Sequence, residues 1–145
     1  MILFCDTSAL VKLYVEEADS PQALAEAGAA SALAVCRIAW VEAFSAFARR
    51  AREAPADAAL LELAQERLRA QWAQYMIVEV TQLLVERAGE YADTFALRAY
   101  DAIQLAAAAT LREAAEEELR FACFDTRLRK AAQVLGMCVF PATSC

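Results

Sequence analysis

Histidine is absent from all 145 residues of the chain. Its absence excludes the common histidine-containing zinc sites, the Ser-His-Asp and Cys-His nucleophile arrangements, and any histidine general base. Catalysis by this chain would therefore have to rest on its carboxylates.

Glycine and proline are also scarce, with three of each, which leaves little room for long irregular loops or linkers. No uninterrupted apolar stretch approaches the ~18–20 residues of a membrane span. The apolar N-terminus has no basic leader and soon reaches Asp6, so it is not expected to be a signal peptide. We therefore expect one domain over residues 1–145, located in the cytoplasm and not attached to a membrane.

The five cysteines form no CxxC pair, and their number is odd. Four lie in predicted strands, where a free cysteine behaves as a small buried hydrophobe. We expect this role rather than disulfides or a metal site. The cysteines are Cys5, Cys36, Cys123, Cys138 and Cys145.

The net charge of −6 argues against a general nucleic-acid coat protein. It remains compatible with an enzyme that meets nucleic acid through a local basic patch and bound cations.

Short apolar runs alternate with longer helical patterns along the chain, which is typical of a parallel α/β sheet. Strands are predicted at residues 2–6, 31–36, 76–80, 120–124 and 138–140. Helices are predicted from Thr7 or Ser8, from Ser20, over 38–52, from Asp57, and over 82–92, 101–118 and 126–135. This order predicts an α/β sandwich.

Four acidic residues stand out from this pattern. Asp6 and Asp125 each follow an apolar run that ends a predicted strand, whereas Glu42 and Asp101 interrupt apolar helical faces. Ligands of open parallel sheets bind beyond the carboxyl ends of the strands. We therefore expect the four side chains to converge there.

A structural explanation is open for three of the four. Asp6 and Asp125 are each placed to cap the helix that follows, and Asp101 is placed to cap its own helix or to pair with Arg98. The occurrence of all four acids together, without a surplus of buried bases, favours a metal site instead.

The chemistry of such a site follows from its charge. Two carboxylates about 5 Å apart repel by roughly 3 kcal/mol at an effective dielectric constant near 20. Oxygen ligands select hard ions, Mg²⁺ or Mn²⁺, over zinc. These ions activate water and neutralise a phosphate, so phosphodiester hydrolysis is the natural reaction. Thr7 and Ser8 add hydroxyls at a helix start that suit water or phosphate.

The segment from Phe4 to Tyr14 (FCDTSALVKLY) resembles the opening motif of PIN domains, particularly the VapC-type toxins. Glu42 in its helix, the stretch Leu97–Ala106 and the segment Phe124–Leu128 resemble the other blocks of that family in the same order. The resemblance covers nearly the whole chain. Many members carry threonine or serine where this chain has Cys123, which removes a hydroxyl contact.

This resemblance implies a three-layer α/β/α fold with a mostly parallel central sheet. It also implies a Mg²⁺- or Mn²⁺-dependent endoribonuclease, namely the toxin partner of a small antitoxin that occupies the active cleft, and commonly a homodimer. By position, Asp6, Glu42, Asp101 and Asp125 inherit the metal-binding role, with Thr7 or Ser8 assisting.

Two basic groups are candidates for RNA contact: Arg49, Arg50 and Arg52 in one, and Arg127, Arg129 and Lys130 in the other. A solvated helical face is the simpler explanation for the first group, and RNA contact is favoured for at least one member of the second. Trp72 or Tyr75 could stack on a base, although packing is the stronger expectation for both.

Two other functions stay open. A PIN-like scaffold could bind metal or a basic peptide without turnover. A receiver-type signalling domain also places aspartates at strand ends, but it needs a phosphoacceptor aspartate after the central strand, and the region 76–80 offers only Glu79.

Overall fold

The structure is a computed structural model that describes residues 1–142. Its five strands form one sheet in the order β3-β2-β1-β4-β5, and every neighbouring pair is parallel. The strands are β1 (Ile2–Cys5), β2 (Ala32–Cys36), β3 (Met76–Val78), β4 (Leu119–Ala122) and β5 (Cys138–Phe140). The predicted parallel α/β sheet is therefore confirmed.

Seven α-helices occur among the described residues. They are α1 (Thr7–Lys12), α2 (Ser20–Ala29), α3 (Ala39–Glu53), α4 (Ala58–Gln71), α5 (Gln82–Phe95), α6 (Ala99–Ala114) and α7 (Thr126–Val134). Short 3-10 turns, Pro55–Asp57 and Trp72–Gln74, lie on either side of α4.

The sheet separates two hydrophobic cores, because neighbouring side chains of a strand point to opposite faces. Ile2 and Phe4 pack with α5, α6 and α7, whereas Leu3 and Cys5 pack with α1 to α4. The result is the predicted three-layer α/β/α sandwich.

The strand order also decides against a receiver-type domain. That fold has the order 2-1-3-4-5, whereas β1 lies between β2 and β4 in this chain. Strand order therefore reverses at β1 and β4, and a crevice opens beyond their carboxyl ends.

The predicted helix starts at Thr7, Ser20 and Asp57 agree with the structure within one residue, but the side chains at these starts do not all form cap bonds. Asp6, rather than Thr7 or Ser8, caps α1, because its carboxylate accepts from the Ala9 N–H. Ser20 makes no cap bond and instead bonds to Glu17 and Val15. Asp57 precedes α4 without a side-chain cap bond.

The cysteine prediction holds for three positions and is wrong for a fourth. Cys5, Cys36 and Cys123 are free and buried, as expected. Cys138 is disulfide-bonded rather than a free strand thiol. Cys145 lies outside the described residues. Within residues 1–142, no helix has the length and apolar character needed to cross a membrane.

Candidate active site

A cleft of about 710 Å³ lies at the point where strand order reverses. All four predicted acids line it, together with Thr7 and Ser8. Asp6 follows β1 and Asp125 follows β4, while α3 supplies Glu42 and α6 supplies Asp101. The sequence prediction of one shared cleft for these six side chains agrees with this arrangement.

Asp6 is the most deeply buried of the four acids, with 4% of the residue exposed. Its Oδ1 accepts from the Ser8 hydroxyl at 2.7 Å and from the Ala9 N–H at 3.0 Å. Burial raises the pKa of Asp6 to about 6, and the negative charge of Asp101 adds to the rise, while these hydrogen bonds oppose it. Asp6 therefore caps α1, and its surroundings also disfavour its ionised form.

Asp125 combines a cap with a place in the cleft in the same way. Its Oδ1 accepts from the Leu128 N–H at 2.9 Å, at the start of α7. The cap employs one of the two carboxylate oxygens. Capping and ligand binding are therefore compatible in this residue, and the two sequence-based explanations do not compete.

Asp101 lies in the first turn of α6 rather than at its cap, because the helix begins two residues earlier, at Ala99. The cap explanation for Asp101 is therefore wrong. Burial raises the pKa of its carboxyl, the charge of Asp125 raises it further, and Arg98 lowers it. Three aspartates thus lie close enough for their charges to interact.

Glu42 differs from the three aspartates because two neighbouring side chains donate hydrogen bonds to its carboxylate. Its Oε1 accepts from the Thr7 hydroxyl at 3.0 Å and from the Gln104 amide at 2.8 Å. The same amide nitrogen lies 3.1 Å from the Thr7 hydroxyl oxygen. Thr7 therefore orients an acidic side chain, which is a more specific role than the predicted contact with water or phosphate.

Gln104 is a site residue that the sequence prediction missed. It is 1% exposed, and its Oε1 is buried without a hydrogen-bond partner among residues 1–142. The available signal was a lone amide three residues after Asp101, followed by an apolar helical run. A buried amide in such a run needs a polar partner.

Ser8 and Cys123 connect the two halves of the cleft. The Ser8 hydroxyl accepts from the Phe124 N–H at 2.9 Å, which joins α1 to the end of β4. The Cys123 sulfur accepts from the Asp125 N–H at 3.4 Å, and its thiol donates to the Asp125 carbonyl at 3.6 Å. Burial raises the pKa of this thiol, and the nearby charge of Asp6 raises it further, so a neutral S–H stands at the end of β4.

The donor set fits a hard divalent cation by its chemistry, since it consists of carboxylate oxygens at interacting distances. The carboxylates are not drawn together, however. Among residues 1–142, no three acidic or cysteine side chains are grouped tightly enough to hold a metal ion.

One wall of the cleft carries a charge network that the sequence did not reveal. Lys12 donates to Glu17 at 3.0 Å and to the Ala18 carbonyl at 2.8 Å, and it lies 4.6 Å from the centre of the Phe124 ring. Glu17 also pairs with Arg50. Lys12 is therefore fixed, and it fixes Glu17 beside Arg50.

The predicted basic groups separate in the structure. Arg49 and Arg50 line the cleft, whereas Arg52 and the whole second group are absent from its lining. In the second group, Arg127 donates to the Ala96 carbonyl and Arg129 to the carbonyls of Cys123 and Pro141. Of the two predicted groups, the first therefore contributes basic side chains to the lining of the cleft and the second does not.

Trp72 and Tyr75 pack against other aromatic side chains, which was the stronger expectation for both. The Trp72 ring meets Trp40 at a centroid distance of 5.2 Å, and the Tyr75 hydroxyl bonds to that of Tyr14.

Comparison with known proteins gives consistent results. A family model described as "PIN domain" matches residues 3–134. Two proteins from Mycobacterium tuberculosis, "Ribonuclease VapC45" of strain CDC 1551 / Oshkosh and "Ribonuclease VapC49" of strain ATCC 25618 / H37Rv, are similar to this chain. Each is 33% identical over 141 residues, which is 97% of this chain and 96% of the relative.

Solved structures show the same fold. A toxin–antitoxin complex from Klebsiella pneumoniae has a TM-score of 0.61 at 24% identity, over 87% of this chain and 88% of the other. VapBC2 from Rickettsia felis, bound to a DNA fragment from its promoter, has a TM-score of 0.65 at 12% identity, over 96% and 97%. FitAcB from Neisseria gonorrhoeae has a TM-score of 0.63 at 18% identity, over 97% and 96%.

Proposed function

The chain belongs to the PIN-domain family, and we propose that it is a Mg²⁺- or Mn²⁺-dependent endoribonuclease, the toxin of a toxin–antitoxin pair. The observation that carries the proposal is the single cleft shared by Asp6, Glu42, Asp101 and Asp125 at the strand-order reversal. Two relatives that bear the name ribonuclease align over almost the full chain. A single domain over residues 1–145 and a cytoplasmic location, where RNA is abundant, are parts of the same proposal.

The roles of the side chains follow from their contacts. Asp101 repels both Asp6 and Asp125, and these three residues would hold the cation together with Glu42. Thr7 and Gln104 orient Glu42, and Ser8 orients Asp6. When bound, Mg²⁺ or Mn²⁺ activates water and neutralises charge on the phosphodiester.

The partner in this proposal is a small antitoxin that places an arginine or lysine in the acidic cleft. Two of the structural neighbours are described as a toxin–antitoxin complex and as VapBC2, so proteins of this fold do assemble with partners. A guanidinium pairs with carboxylates through two parallel hydrogen bonds, which suits a cleft rich in aspartate. A homodimer, common in the family, completes the proposed assembly.

RNA cleavage with and without metal tests the enzymatic proposal. The purified protein should cleave single-stranded or structured RNA in Mg²⁺ or Mn²⁺ and lose that activity in excess EDTA. Asp101→Asn, prepared identically, is the matched control for contaminating nuclease, because it removes one carboxylate and keeps the side-chain shape. Cleavage by the parent that persists in excess EDTA but is lost in Asp101→Asn belongs to the protein itself, and it would refute the metal mechanism.

A second function rests on the same acidic cleft, because its carboxylates also suit pairing with a basic side chain. In that case the cleft binds a basic peptide without turnover. Tight binding of the antitoxin together with no cleavage in either metal would support this scaffold function over the enzyme.

A further inference from the structure

Tyr100 is exceptional among the aromatic residues of this chain. The sequence contains seven phenylalanines, four tyrosines and two tryptophans, all within residues 1–142. Twelve of these side chains are buried or half-buried, whereas Tyr100 is 60% exposed.

The exposed ring stands at the candidate active site. Tyr100 directly precedes Asp101 in the first turn of α6 and lines the cleft. Val41, which is 59% exposed, directly precedes Glu42 and lines the same cleft from α3. Arg98, just before α6, adds a cation to this lining.

Exposure alone would mean little, because single exposed apolar side chains are common on protein surfaces. Leu83 and Val134 are such cases, at 79% and 74% exposed on α5 and α7, and neither lines the cleft. Tyr100 differs because a flat ring, an apolar side chain and a guanidinium border the same carboxylates. These are the groups that bind an unpaired nucleotide: a surface for the base and a charge for the phosphate.

We propose that Tyr100 stacks on an unpaired nucleobase of the RNA substrate next to the scissile phosphodiester, and that Arg98 contacts a neighbouring phosphate. This inference rests on the proposed ribonuclease function and adds to it how the substrate is held. RNA is favoured over a peptide as the occupant because a planar aromatic side chain and an arginine together match the two parts of a nucleotide. Unpaired bases are recognised by stacking in this way.

Binding of fluorescein-labelled single-stranded RNA, followed by fluorescence anisotropy in EDTA, tests the proposal without turnover. Tyr100→Ala should weaken binding of an oligoadenosine roughly 5- to 150-fold, the effect of losing one stacked base. Tyr100→Phe keeps the ring and should bind the RNA as tightly as the parent. Tyr100→Leu keeps apolar area without the ring and should bind the RNA as weakly as Tyr100→Ala. Leu83→Ala is the matched control outside the cleft and should change nothing.

The choice of oligomer separates stacking from a structural defect. The loss in Tyr100→Ala should be larger for oligoadenosine than for oligouridine, because the purine offers more stacking area. It should vanish for an abasic ribose-phosphate oligomer. An equal loss for all three oligomers would overturn the proposal, because a misfolded cleft loses every ligand alike.

Cleavage measurements distinguish this inference from the function on which it rests. If the parent cleaves RNA and Tyr100→Ala matches its KM and its RNA affinity, stacking is refuted and the ribonuclease proposal stands. If the parent binds RNA through Tyr100 but cleaves nothing in Mg²⁺ or Mn²⁺, stacking stands and the nuclease proposal is refuted. A parent that neither binds nor cleaves RNA overturns both. A Tyr100→Ala protein with parental RNA affinity and weaker antitoxin binding would assign the ring to the protein partner instead.

Discussion

The side-chain amide of Gln104 donates to Oε1 of Glu42 across 2.8 Å, while the carbonyl oxygen of the same amide is buried without a partner in the described part of the chain. A reversed amide would place its oxygen against the Glu42 carboxylate, where the two would repel. It would also turn both N–H donors of the amide away from that acceptor. Glu42 therefore fixes the orientation of Gln104 at the cost of one unsatisfied oxygen. Such local cost is common where a side chain is held for function rather than for stability.

Gln104→Leu should reduce cleavage with little effect on stability. The variant loses a hydrogen bond to a charged group, worth about 1.5–3 kcal/mol, and also removes a buried unsatisfied oxygen that costs about 1–3 kcal/mol. Thermal unfolding should therefore change little. Cleavage should fall at least about tenfold, because Glu42 keeps only its bond from Thr7.

Thr7→Val is the companion variant, since it removes the other donor and preserves the shape of the side chain. Parental cleavage in both single variants and in the double variant would show that Glu42 needs no orientation by these residues. A loss in the double variant that departs from the sum of the two single losses, each expressed as a free energy, would support a shared role.

The fold could be predicted from sequence because each strand is a short apolar run with a clear boundary. Strand starts and ends agree with the structure within about two residues. Helix ends were less accurate, as α6 shows: alanine and glutamate favour helix up to residue 118, yet the helix ends at Ala114. The chain must turn there, since β4 begins at Leu119 and the Ile2 N–H bonds to the Glu118 carbonyl at 2.8 Å.

The candidate site was predictable in its acids and not in the groups that support them. Asp6 and Asp125 follow apolar strands, and this position in the sequence suffices to find them. Thr7 and Gln104 are 97 residues apart, and no local pattern links them. The direction of a side chain on a helix is also hidden. RNA contact is predicted for at least one of Arg127, Arg129 and Lys130, and the sequence does not show that Arg127 and Arg129 bond to backbone carbonyls.

Glu17→Gln should destabilise the protein more than an equivalent change at an exposed ion pair. Lys12 and Glu17 have side chains that are only 11% and 15% exposed, and Glu17 also neutralises Arg50. Removing this charge leaves two cations close together, which should cost about 1–3 kcal/mol in the free energy of unfolding. Urea denaturation measures the change.

Glu79→Gln is the matched control for that variant. Its pair with Arg37 has side chains 60% and 49% exposed, and surface pairs contribute little. We expect no change in the denaturation midpoint. Equal effects of the two substitutions would contradict a structural role for the network around Glu17.

The affinity of the antitoxin for this protein should depend on the negative charge of the cleft. The double variant Asp6→Asn and Asp125→Asn keeps side chains that are able to cap α1 and α7 and removes two negative charges. Affinity for a co-purified antitoxin should fall at least about tenfold, since an arginine pairing with both carboxylates would lose its charge-assisted bonds. Isothermal titration measures this loss. Unchanged affinity, with normal unfolding, would rule out insertion of a basic side chain as the basis of binding.

Asp125→Asn is the sharpest single test of the site, because asparagine and aspartate cap helices about equally well. The bond to the Leu128 N–H should survive, so any change reports the charge. The metal-free variant should be more stable by about 1–3 kcal/mol, since the repulsion between Asp125 and Asp101 is removed.

Mg²⁺ should then raise the melting temperature of the parent and do so much less in Asp125→Asn, because a ligand stabilises only the state that binds it. Cleavage should fall severely in the same variant, since one carboxylate of the proposed metal site is lost. Asp57→Asn is the control: it removes the same charge at the start of α4, where the side chain makes no cap bond, and should match the parent in all three measurements. If Asp125→Asn also matches the parent in melting, in its Mg²⁺ response and in cleavage, then Asp125 is a helix cap alone, and the metal site must be sought among the other acids.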